Sequence, residues 1–184
     1  MDIAALIISG LSLVVAGIGT YWSNKRSKEA LAESRRAAAD ARWSALQEAV
    51  QRLIGFDPSA EPIRDRLTNL RIAMLALVDE LGDEWEGLDV WLDAERALGA
   101  TYGRRVMEQA RPTDTIERRL DNLDPLMTWA QALSHNLRRL KVTGHDASAL
   151  NKLADHAQGL VASIHERHGW EQPAPANSRI RPLD

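Results

Sequence analysis

Apolar positions fall into two regimes along the chain. From Ile3 to Trp22 they run almost without interruption, IAALIISGLSLVVAGIGTYW, with no charge in twenty residues. As a helix this stretch would be about 30 Å long, the thickness of a bilayer's hydrocarbon core. Ile3, Leu6, Ile7, Ile8, Leu11, Leu13, Val14, Val15 and Ile18 each favour insertion by roughly 0.3–0.6 kcal/mol, and Tyr21 and Trp22 close the run with rings suited to the interface. The pattern predicts a single transmembrane anchor over residues 1–24. A cleaved signal peptide would want cations where Asp2 stands and a shorter apolar core.

After Trp22 the apolar residues become periodic. Residues 25–38 are charged and Ala-rich with no stripe to bury, which predicts a helical stalk. From residue 39 a face appears at Trp43, Leu46, Val50 and Leu53, until Gly55, Asp57 and Pro58 stop it. Ile63, Leu67, Leu70, Met74, Leu77 and Leu81 alternate steps of four and three, with Ile72 and Leu75 on another side of the same helix, which should therefore be central. A third helix is expected from about Glu84 to Ala110 on Leu88, Trp91, Leu92, Leu98, Tyr102 and Val106. A fourth should open at a capping box of Asp114 and Glu117 with Ile116, Leu120 and Leu123 inward.

Asp124 and Pro125 predict a kink or a fresh start, continuing through Met127, Ala130, Leu133, Leu137 and Leu140. The last helix begins at Asp146 and carries Leu150, Leu153, Ala157, Leu160 and Ile164 to Gly169. Residues 170–184, WEQPAPANSRIRPLD, read as an extended or disordered tail. The expected fold is all-α: an anchor, a stalk, and an antiparallel cytoplasmic bundle of about five helices over 39–169.

Charge adds topology. Residues 1–52 hold seven cations and five anions, net +2; the rest hold 16 and 21, net −5, giving the overall −3. Lys25, Arg26 and Lys28 directly follow the apolar run, so the positive-inside rule places the N-terminus outside and the bundle in the cytoplasm. With Arg35, Arg36 and Arg42 they form a basic collar that could hold anionic lipid at about 1 kcal/mol per close charge. Within the apolar run, Ser12, Ala16 and Thr20 repeat small residues every four and Gly10 and Gly17 lie seven apart, spacing that lets a second helix approach. The net charge of −3 argues against a nucleic-acid partner. Arg outnumbers Lys 19 to 4, a bias expected of a GC-rich bacterial genome.

Candidate chemistry is sparse. With no Cys there are no disulfides, thiolate metal sites or cysteine nucleophiles. Phosphate-loop, nucleophile-elbow and dinucleotide motifs are missing from the sequence, and His135, His145, His156, His165 and His168 make no zinc pattern, so no cofactor or metal is expected. Seven acidic residues lie between Asp79 and Asp93 (Asp79, Glu80, Asp83, Glu84, Glu86, Asp89, Asp93), but helical phase turns Glu86, Asp89 and Asp93 away from the apolar stripe, as a solvated face would be. A metal-dependent hydrolase would need them inward.

Glu95 conflicts with its surroundings, falling within the stripe of Leu88, Trp91, Leu98 and Tyr102. A buried carboxylate needs a partner, and Arg71 is the expected one, as a structural ion pair or part of a ligand pocket. By elimination the sequence points to a non-enzymatic interaction or scaffolding module at the inner face of a membrane, with a protein partner or a second copy. The alternatives are a ligand-binding or sensory bundle and a toxin or immunity component.

Overall fold

The computed structural model describes residues 3–55, 62–111 and 113–173, with side chains from residue 26 onward. They form five α-helices: α1 (Ile3–Ile54), α2 (Ile63–Leu81), α3 (Leu88–Gln109), α4 (Ile116–Thr143) and α5 (Ala147–His168). No strand occurs among the described residues, and the all-α bundle is as expected. The chain divides into two units, Met1–Asp40 and Ala41–Asp184.

The first unit is helical backbone of α1. From Arg26 to Ala37 every side chain is exposed, Leu31 at 55%, which fits a segment with no continuous stripe. Ser12, Ala16, Thr20 and Lys25 have side chains outside the described set. Among the described residues no helix is long and apolar enough to cross a membrane, so the transmembrane anchor expected over residues 1–24 is not supported among them.

The second unit holds the core. Trp43, Leu46, Val50 and Leu53 of α1 are buried at the expected spacings. On α2 Ile63, Leu70, Met74, Leu77 and Leu81 are buried and Leu67 is half-buried against α3; Ile72 and Leu75 remain 59% and 49% exposed. The central helix is therefore α3, which packs on α2, α4 and α5. Its small residues explain why. A Cβ at Gly103 would stand 2.5 Å from Leu67 Cδ1, and one at Gly99 2.4 Å from Trp129 Cη2, so neighbours seat directly on its backbone.

Three boundaries differ from expectation. Helix α3 begins at Leu88 rather than Glu84, because Gly87 adopts φ +87, a left-handed conformation that cannot continue a right-handed helix. The turn before it is pinned by Trp85, whose N–H donates to Leu81 O (2.8 Å) and whose ring lies against Trp43 (5.3 Å) and His145 (5.7 Å). Helix α4 runs unbroken through Pro125, since Leu123 and Leu126, buried on either side, hold the backbone where one N–H is missing.

The α4 cap is Thr115, which accepts from Arg118 N at 3.3 Å, while Asp114 accepts from Arg111 N instead of sharing a box with Glu117. Ile116 and Leu120, expected inward, are 77% and 59% exposed; Leu123 is buried. Helix α5 opens on Asp146, which accepts from Ala149 N at 3.0 Å, and closes at Gly169 (φ +64). Its buried face is Leu150, Ala154, Ala157, Val161, Ile164 and His165.

Candidate functional site

Glu95 is the most chemically exceptional residue of the bundle. It lies on α3 one turn after Trp91 and is 6% exposed, inside the apolar face as its phase predicts. Its partner is not Arg71, which is exposed on α2. Trp91 Nε1 donates to Oε1 at 3.0 Å and Trp129 Nε1, from α4, donates to Oε2 at 2.7 Å. Two neutral donors replace the expected cation because indole N–H groups buried with their rings need acceptors, and one carboxylate supplies both.

Burial pushes the Glu95 carboxyl above its ordinary value; the Trp129 and Trp91 hydrogen bonds and the positive field of His156 only partly oppose this. Trp129 is locked from behind by Gly99, and its ring meets Tyr102 at 6.4 Å. Burial also raises the Tyr102 hydroxyl, against the attraction of Arg105. With both Glu95 oxygens engaged and the indole seated on backbone, the arrangement cross-links α3 to α4. Two indole donors thus stand where the expected Arg71 partner does not reach.

A second polar cluster lies toward the C-terminal ends of α3 and α5. His165 is 6% exposed. Its Nδ1 is 2.7 Å from the carbonyl of Glu171, which can only accept, so Nδ1 carries a proton. Its Nε2 meets Thr101 Oγ1 at 3.1 Å, and that hydroxyl also reaches Ala97 O at 2.9 Å.

Trp170 folds over this site. His165 meets its ring edge-on at 5.4 Å, His168 stacks on it at 4.6 Å, and the Arg104 guanidinium sits 4.1 Å from its centroid. Gln172 Nε2 donates to Ala162 O at 3.3 Å. Residues 170–172, expected to begin a loose tail, are thus fastened to the bundle; residues 174–184 lie outside the described set. The signal was in the sequence, since a Trp two residues beyond paired histidines has apolar area to bury.

Most of the acidic run is exposed, as its phase implied. Asp79, Asp83, Glu86 and Asp89 rim an open depression with Val78, Gly82 and Gly87, while Asp93 pairs with Arg96 at 2.7 Å. Among the described residues no three His, Cys, Asp or Glu side chains are placed to hold a metal ion. Arg26, Lys28, Arg35 and Arg36 of the collar are exposed. No protein-family model, curated protein or solved structure matches this chain.

Proposed function

We propose that the protein is a non-enzymatic interaction module held at the inner face of a membrane by the N-terminal part of α1. The observation that carries the interaction reading is apolar and exposed. Ile116 and Leu120, one turn apart on α4, and Ile72 and Leu75, three apart on α2, leave large side chains in solvent, as do Val90 and Met107 of α3 and Val142 of α4 singly. Paired exposure of this kind marks a surface that is covered in use.

Support for the anchor is the charge-free run Ile3–Trp22 on continuous helix, and the Lys25, Arg26 and Lys28 that follow it favour a cytoplasmic side there. A small-molecule pocket at Glu95 has no support, because its oxygens are both taken by tryptophans.

A photoreactive residue at 116, 120 or 72 of the full chain in native membranes tests the interaction reading. A discrete protein adduct is expected at these positions and not at Gln131, which is exposed on α4 about three turns beyond Leu120. Equal or no labelling at all four overturns it.

A further inference from the structure

The apolar stripe of α4 starts before anything covers it. Ile116, Leu120 and Leu123 follow steps of four and three on one side of the helix, yet Leu123 is buried while Ile116 and Leu120 are 77% and 59% exposed. These first turns stand at the end of the bundle where the described chain also ends. Helices α3 and α5 run in the same direction, since Gly87 lies against Leu150 and Asn151, and Thr101 against His165. Trp170 is therefore held near the C-terminal end of α3, by Arg104, and α4 begins just beyond that end, after residues 110–115. Leu120 precedes Trp129 by about 14 Å along α4, and Arg104 follows Gly99, on which Trp129 sits, by about 8 Å along α3. We infer that residues 174–184 of this chain cover the open start of α4 and so mask, in cis, the surface proposed above for a partner. The inference deepens that reading and rests on it for what the tail excludes.

Reach, sequence and charge select this occupant. Pro173 is exposed, and the seven residues from it to Ile180 span at most about 23–25 Å, enough to pass from Trp170 to the first turns of α4. The segment APANSRIRPLD offers two large apolar residues, Ile180 and Leu183, to the two left uncovered on α4. Arg179 and Arg181 flank Ile180, while Glu117 and Asp121 stand beside Ile116 and Leu120. Both carboxylates are exposed and make no ion pair among the described residues, whereas Arg118 of the same turns already leans on Asp114 at 3.8 Å. Opposite charges beside matched apolar residues set the register of such a contact. A short tether also gives the tail an effective concentration on the order of 1 mM, so contacts too weak to hold a separate chain suffice to hold it.

The chain has no cysteine, so introduced pairs report cleanly. In the full chain, Asp124→Cys with Ser178→Cys puts one thiol on the row of Ile116 and Leu120, and Arg118→Cys with Ser178→Cys puts it on the opposite side of the same turns; positions 124 and 118 are both exposed. Under a mild oxidant the first pair should give several-fold more disulfide within one chain than the second, and adding Ile180→Ser should lower the first to the level of the second. Equal yields from the two sides, a yield that Ile180→Ser leaves unchanged, or disulfides that join two chains would overturn the docking. A photoreactive residue at 116 separates the premises, because Ile180→Ser should raise the partner adduct there several-fold. Side-selective disulfide with no adduct at 116 in either chain refutes the partner surface alone. An adduct that Ile180→Ser leaves unchanged, with equal disulfide from the two sides, refutes the docking of the tail alone.

Discussion

Replacing Glu95 by alanine strands two buried indole N–H groups, those of Trp91 and Trp129, that have no other acceptor at 3.0 and 2.7 Å. A buried donor left unsatisfied costs about 1–3 kcal/mol, so Glu95→Ala should lose roughly 2–6 kcal/mol before any cavity is counted, partly offset by no longer burying a carboxylate. Glu95→Gln keeps one acceptor and turns an amide N–H₂ toward the second indole, for a loss of roughly 1–3 kcal/mol. The carboxyl's raised pKa adds a pH signature. A raised carboxyl pKa means that the folded state holds the proton more tightly than the unfolded chain. Wild-type stability from this group is therefore complete below the ordinary value of 4.5 and falls as pH rises through the folded-state pKa. The difference in melting free energy between wild type and Glu95→Gln should shrink across that interval. Thermal and urea melts at several pH values read both effects. Alanine and glutamine variants that melt with wild type, or a difference that grows with pH, would refute the double-indole arrangement.

Gly99→Ala should destabilise by about 1–3 kcal/mol and weaken the near-ultraviolet tryptophan signal, because its Cβ would meet Trp129 at 2.4 Å and push the indole off Glu95; unchanged melting and spectrum would contradict that packing. Trp170→Ala should release residues 170–172, seen as faster amide exchange after Gly169 and a modest loss of stability, while α1 and α2 exchange as before. Ile116→Ser with Leu120→Ser should leave stability within about 0.5 kcal/mol, since both side chains already face water, yet remove the photo-adduct formed at position 72.

Helix content was legible wherever one apolar stripe met one neighbour, as on α5 and the C-terminal part of α1. It failed where tertiary geometry chose between two stripes. Ile72 and Leu75 have the same periodicity as buried residues, and only the small-residue back of α3 decides which face of α2 goes inward. Ile116 and Leu120 precede Leu123 at proper spacing, yet they stand at the start of α4 and are left in water.

For the site, phase alone put Glu95 inside and the acidic run outside. Its partners were not legible because a buried carboxylate calls first for a cation, whereas Trp129 shares the apolar stripe of Leu126, Leu133 and Leu137 and carries its donor into the core. The His165 cluster was missed because the Pro-rich composition after Gly169 hid the docking of Trp170 on His165, His168 and Arg104. Glycine at 87, not propensity, set the start of α3.

The most direct test of a bundle that works from a membrane helix is partition after an alkaline wash. The full chain and a chain starting at Arg26 are expressed side by side, and their membrane and supernatant fractions are compared. The full chain should remain in the washed membranes, and the shorter one should appear in the supernatant as a helical protein with a cooperative melt, because the buried residues among those described all lie after Asp40. Release of the full chain by the wash would contradict the anchor, and a shorter chain that aggregates or melts without cooperativity would contradict a bundle complete in itself.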